Sequence, residues 1–137
     1  MVVRTRGAKI DEVRRAIVEL LIANHHDDCR HCPKSGNCEL QRIMAYLHVS
    51  VKRTRPLRSA KEKLPLDTSN PFFNYDPNRC ILCGICVRTC EDIRGVSALQ
   101  FMGRGYSTKI AFFGDGSKCE SCGECVARCP VGALLPK

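Results

Sequence analysis

The sequence predicts an α+β chain of two small domains, each built around cysteines, and three observations predict it. Cys119, Cys122, Cys125 and Cys129, followed by Pro130, are spaced C-x2-C-x2-C-x3-C-P. That run wraps a 4Fe–4S cubane. Cys80, Cys83, Cys86 and Cys90 repeat the spacing 39 positions earlier, and Gly84 with Gly123 and Val87 with Val126 superpose at the same offset. The remaining three of the eleven cysteines, Cys29, Cys32 and Cys38, lie nearer the N-terminus among histidines. Two copies of so demanding a spacing mark an iron–sulfur electron carrier.

The expected organisation is a His-plus-three-Cys iron–sulfur domain at 1–55, a basic linker at 56–75, and a bacterial-type two-cluster ferredoxin domain at 76–137. A disulfide framework is excluded on three grounds. Eleven is odd, the cysteines come in runs two residues apart, and the N-terminus has no apolar signal core. A reducing, cytoplasmic setting follows. No apolar run approaches the ~20 residues of a membrane span. Aromatics are few and Trp is absent, so the clusters substitute for part of a core and the apo chain should be poorly folded. The formal net charge is +8. Three all-inorganic 2+ cores held by eleven thiolates lower it by about 5, to roughly +3. A moderately basic surface fits an acidic protein partner better than nucleic acid.

Residues 1–5 read as a short strand ended by Gly7. Asp11 can cap a helix that runs to about Ala23, with Ile10, Val13, Ile17, Leu20 and Leu21 as its apolar stripe. Leu40, Ile43, Met44 and Leu47 space as the apolar side of a second helix over 39–47, with His48 as cap or surface residue. Residues 49–54 are rich in β-branched side chains and read as a strand. The Pro-punctuated basic segment with Arg53, Arg55, Arg58, Lys61 and Lys63 reads as a solvated linker or as a docking surface for an acidic partner. Phe72, Phe73 and Tyr75 form an apolar patch that covers the first ferredoxin cluster or packs the domains together. Asp76-Pro77 makes a turn. A helical stretch follows over about 83–93. Residues 97–102 and 108–113 alternate as a hairpin around Gly103-Arg104-Gly105. A last helix spans about 123–128 and stops at Pro130.

Cys29, Cys32 and Cys38 lack a fourth ligand, and eleven cysteines plus one histidine make the twelve ligands of three cubanes. His25, His26 and His31 are near enough to serve. His31 lies inside the wrapped turn with its ring pointing away. Sterics favour His25 over His26 only mildly. A zinc site with one His and three Cys is the alternative for this segment.

Asn24, His25, Asp28, Cys29, Cys32, Gly36, Cys38, Glu39, Leu40 and Gln41 resemble the N-H-P-L-D-C-x2-C-x5-C-E-L-Q segment of one family. That family comprises iron-only hydrogenases, the large iron–sulfur subunit of respiratory complex I, and NAD-linked formate dehydrogenases. The sequence departs from it at His26 and Asp27, where Pro and Leu are usual. The resemblance continues through the ferredoxin part and covers nearly the whole chain. It places the ligand on His25. It implies a stand-alone electron-transfer subunit for a catalytic oxidoreductase subunit, tungsten- or molybdenum-containing, such as a formate dehydrogenase or a class II benzoyl-CoA reductase. A further electron-carrier protein would exchange electrons with it.

In two-cluster ferredoxins the fourth cysteine of each run ligates the other run's cluster. The expected ligand sets are therefore His25, Cys29, Cys32 and Cys38; Cys80, Cys83, Cys86 and Cys129; and Cys119, Cys122, Cys125 and Cys90. Glu91 stands where the other run has Pro130, and its charge should disfavour reduction of the nearer cluster. Once twelve ligands are assigned, no cysteine remains for an active-site cluster. No G-x-G-x-x-G fingerprint occurs either, so the chain reads as non-catalytic. A free-standing soluble ferredoxin is the second reading. A hydrogenase remnant and a zinc-dependent nucleic-acid protein are weaker ones.

Overall fold

A computed structural model describes residues 1–25, 28–50, 63–114, 119 and 122–137. The chain divides into two compact units, Met1–Glu62 and Lys63–Lys137. His26 and Asp27, residues 51–54 of the strand expected over 49–54, the basic segment up to residue 62, and residues 115–118 and 120–121 lie outside the described residues, and Val49 and Ser50 form no strand.

In the first unit, helix α1 spans Ala8–Asn24. It begins earlier than expected. Gly7 is its N-cap, and the Gly7 carbonyl accepts from the N–H groups of Ile10 and Asp11. Asp11 sits instead in the first turn, where a carboxylate suits the helix dipole, and it pairs with Arg14 at 3.2 Å. Residues 1–5 form no strand. A lone strand has no partner for its backbone groups, and the Thr5 carbonyl accepts instead from the Arg14 guanidinium at 3.0 Å.

The expected apolar stripe of α1 is also corrected. Val13, Ile17 and Leu20 are more than half exposed, whereas Val18, Ile22 and Ala23 are buried. Periodicity located an apolar face, and packing chose the adjoining one. Helix α2 covers Glu39–Leu47 as read from the sequence. It buries Leu40 and Leu47, leaves Met44 half-buried, and leaves Ile43 38% exposed. His48 closes it in the left-handed region at φ 55°. Arg15 of α1 donates to the Leu47 carbonyl at 3.1 Å, which ties the two helices together.

The second unit is built on two small antiparallel sheets. Strand β1, Phe73–Tyr75, pairs with β4, Leu134–Pro136. Strands β2, Leu99–Met102, and β3, Lys109–Phe112, make the expected hairpin, with a 3-10 turn at Gly105–Ser107. Asp67 bridges to Tyr75 through two backbone hydrogen bonds of 2.8 and 2.9 Å. Residues on the N-terminal side of β1 therefore pack with the ferredoxin part. Phe73, Tyr75, Leu99, Ile110, Val131 and Leu134 form the core. The rings of Phe73 and Phe112 meet edge to face, with centroids 6.3 Å apart. Helices α3, Ile85–Arg88, and α4, Glu124–Ala127, carry the middle of the two cysteine runs. A π turn over Thr89–Ile93 extends α3.

Candidate metal centre

In the first unit each candidate ligand sits at a change of chain direction. His25 is the C-cap of α1, and its N–H donates to the Ile22 carbonyl at 3.1 Å. Cys29 opens a 3-10 turn, Cys29–His31. Cys32 follows that turn, and Cys38, buried, is the N-cap of α2. The other motif residues act as scaffold. The Asp28 carboxylate accepts from the His31 N–H and lies 2.9 Å from the His31 Nδ1. The His31 side chain is 81% exposed, so its ring is turned to solvent and held by Asp28. Gly36 takes the left-handed conformation at φ 79°, and its N–H donates to the Gln41 side chain at 3.2 Å. Leu40 fills the core.

In the second unit the two runs share one local construction. Gly84 at φ 72° and Gly123 at φ 66° are the left-handed N-caps of α3 and α4. A positive φ of this size favours glycine. At Gly84 there is a second restriction, because a Cβ would lie 3.1 Å from the Phe101 ring. Gly95, at φ 64°, has nothing within 4 Å of such a Cβ. Gly84→Ala is therefore expected to cost about 1–3 kcal/mol, more than Gly95→Ala. Urea midpoints of the iron-loaded chains measure the difference, and equal midpoints would refute the ring's part in it.

Cys90, the fourth cysteine of the first run, lies with Cys119, Cys122 and Cys125 of the second around one hollow. Burial, and then the charges of Cys80, Cys129 and Cys83, push the Cys86 thiol up to about 12. Burial also raises Cys80, against a hydrogen bond from Tyr75 and the Leu82 N–H, with Cys129 and Cys83 adding to the rise. On the other side, burial and the charges of Cys122, Cys119 and Cys90 raise Cys125 to about 12. The hollow that Cys125 shares with Cys90 is walled by Phe73 and Phe112. Cys90 reaches it from the π turn, a helix irregularity common at functional sites. Glu91, next to it, is exposed.

Several donors point at these sulfurs. The Leu82 N–H lies 3.4 Å from the Cys80 Sγ and the Ala98 N–H lies 3.2 Å from the Cys90 Sγ. The Asn70 Nδ2 lies 3.6 Å from the Cys119 Sγ. Burial, and then the charge of Cys80, keep the Tyr75 phenol far above its ordinary range, and its hydroxyl oxygen accepts from the Ile110 N–H at 3.2 Å.

This donor set fits iron–sulfur clusters. Mutually repelling, half-buried thiols need a cationic core before they can all ionise. N–H groups aimed at sulfur stabilise thiolate charge. Among the described residues no group of three His, Cys, Asp or Glu side chains closes on one point as the ligands of a single ion do. A cubane spreads its thiolates wider, each on a different iron. Sequence reasoning placed Phe72, Phe73 and Tyr75 over the first ferredoxin cluster or between the domains; Phe73 walls the hollow of Cys90, Cys119, Cys122 and Cys125. The same reasoning passed over Asn70. The signal for it was the Asn70-Pro71 turn leading directly into an aromatic strand. No helix among the described residues is long and apolar enough to cross a membrane.

Comparison with known proteins agrees with this construction. Residues 14–53 match the NADH-ubiquinone oxidoreductase-G iron–sulfur binding region. Residues 70–135 match the ferredoxin-like domain of NADH-quinone oxidoreductase subunit 3. The NADPH-Fe(3+) oxidoreductase subunit alpha of Geobacter sulfurreducens is 38% identical over 98% of this chain, which spans 16% of that relative. NADH-quinone oxidoreductase subunit 3 of Thermus thermophilus is 36% identical over 98% of this chain and 19% of its own length. The NADH-ubiquinone oxidoreductase 75 kDa subunit of Acanthamoeba castellanii is 33% identical over 100% of this chain and 20% of its own length. A chain in the crystal structure of NAD+-reducing NiFe hydrogenase in the H2-reduced state superposes with a TM-score of 0.80 at 32% identity. The match covers 97% of this chain and 57% of that one.

Proposed function

We infer, from a chain built of iron–sulfur domains of the NADH-quinone oxidoreductase type, that it relays single electrons through three 4Fe–4S clusters within an oxidoreductase complex. His25, Cys29, Cys32 and Cys38 hold the first cluster. Cys80, Cys83, Cys86 and Cys129 hold the second, and Cys119, Cys122, Cys125 and Cys90 the third. The observation that carries the reading is the hollow in which Cys90 of the first run lies with Cys119, Cys122 and Cys125 of the second.

Bound clusters supply one-electron oxidation and reduction. The chain's own residues do the rest. The thiols give up protons to take iron, so loading becomes more favourable as pH rises. Phe73 and Phe112 wall one site. The N–H groups of Leu82 and Ala98 steady the thiolate charge. Turnover belongs to a partner subunit, for which a tungsten- or molybdenum-containing oxidoreductase is the proposed identity, in a cytoplasmic, reducing setting. A second carrier protein completes the path.

Anaerobic purification followed by iron and sulfide assay and native mass spectrometry tests this. About 12 iron atoms per chain and a co-purifying catalytic subunit are the expected result. Zinc in the first unit would overturn the three-cluster reading. A fully loaded chain that purifies alone from its native source would favour a free-standing ferredoxin instead.

A further inference from the structure

We propose that the 70–75 segment sets the reduction potentials of both ferredoxin clusters, by donating one side-chain hydrogen bond to the first cysteine of each run, Asn70 to Cys119 and Tyr75 to Cys80. The inference rests on the cluster reading above and extends it to two residues that are not ligands. Cys80 and Cys119 occupy the same place in the two superposable runs. Each meets a polar side chain from one short stretch of chain.

Both side chains are oriented by backbone N–H groups. The Asn70 Oδ1 accepts from the Phe72 N–H at 2.8 Å and the Phe73 N–H at 3.2 Å. Its Nδ2 is thereby turned to the Cys119 Sγ at 3.6 Å. The Tyr75 hydroxyl oxygen accepts from the Ile110 N–H at 3.2 Å. That leaves the hydroxyl hydrogen to be donated toward Cys80, where burial pushes the thiol up and Tyr75 lowers it against that effect. Asn70 is 2% exposed and Tyr75 5%, so water does not compete for either donor.

The surrounding backbone holds the segment in place. Tyr75 is paired to Leu134 on one side and Asp67 on the other. The Lys137 ammonium donates to the carbonyls of Asn70 at 2.6 Å and Thr68 at 2.9 Å.

A hydrogen bond to a thiolate sulfur withdraws negative charge from the cluster. The reduced state carries one more negative charge than the oxidised state and gains more from the bond. The midpoint potential therefore rises with the bond and falls without it. The backbone donors to Cys80 and Cys90 remain whatever the side chains, so Asn70 and Tyr75 are the donors a substitution can remove.

The test is an EPR-monitored redox titration of the full, iron-loaded chain. Tyr75→Phe keeps the ring and removes the hydroxyl. Asn70→Ser keeps an oxygen for the Phe72 N–H but is too short to reach Cys119. Each is expected to lower one of the three midpoints, and not the same one. The double variant lowers two, and the midpoint of the His25 cluster stays in place. The Fe–S(Cys) stretching bands in resonance Raman spectra shift in parallel. Should Asn70→Ser lose iron, Asn70→Thr likewise keeps an uncharged oxygen for the Phe72 N–H without reaching Cys119, and it decides the question. Loaded variants with unchanged or raised midpoints would overturn the proposal. So would a common shift of all three midpoints, or both variants moving one cluster. A wild-type chain that takes up no iron would overturn the cluster reading, and the proposal with it.

Discussion

Replacing Cys129 with alanine is expected to remove about four iron atoms from the chain, and adding Cys80→Ala is expected to remove no more. Pairing Cys129→Ala with Cys119→Ala should instead remove about eight. The asymmetry is what the proposed crossing of ligands requires. Cys129 follows α4 in the second run, yet its charge acts on Cys80 and Cys86 of the first. If it completes the first run's cluster, losing Cys129 and losing Cys80 damage the same site. Losing Cys119 damages the other. If iron assays give the reverse pattern, with eight lost for the Cys129/Cys80 pair and four for the Cys129/Cys119 pair, the ligands do not cross. The effect on folding is large as well. A cluster shared by Cys80 and Cys129 would tie these distant stretches of chain together, so the single variant should also shift the thermal transition markedly downward.

His25→Cys is expected to lower the midpoint of the first cluster, by a shift on the order of 100 mV. A neutral imidazole in place of a thiolate leaves the site one unit less negative, so an added electron is less strongly repelled. His25 stands at the C-terminal end of α1, where the helix dipole places partial negative charge. That charge opposes the imidazole's effect in the native protein. It is the same in both proteins, and the comparison therefore isolates the ligand. Potentiometric titration of the two loaded chains reads the difference. A variant with an equal or higher midpoint would defeat the electrostatic argument. So would a His25→Cys chain in which a ferredoxin cluster moved instead.

The parts of this molecule that are legible in the amino-acid order are its local patterns. The spacing of the cysteine runs, helix α2 and the β2–β3 hairpin are of this kind. Short-range turns, one helical face and one pair of alternating strands determine them. The glycines at 84 and 123 belong with these, since the same left-handed cap recurs at the same offset. The motif around Cys29 can be read in the same way. Asp28 and Gln41 each act within five residues of their partners, His31 and Gly36.

The face that α1 buries was not legible, because Val13, Ile17 and Leu20 are as apolar as the residues chosen over them. Strand β4 was missed because it is three residues long and pairs with a strand some sixty residues away. The donors at Asn70 and Tyr75 depend on that same pairing. The amino-acid order thus names the residues that can be ligands, and their spacing. Which sulfurs face one another, and which polar side chains face them, is settled by the packing of distant segments. Ligand spacing is a property of a few consecutive residues. A hydrogen bond from Asn70 to Cys119 exists only once the β1–β4 pair has brought distant stretches of chain together.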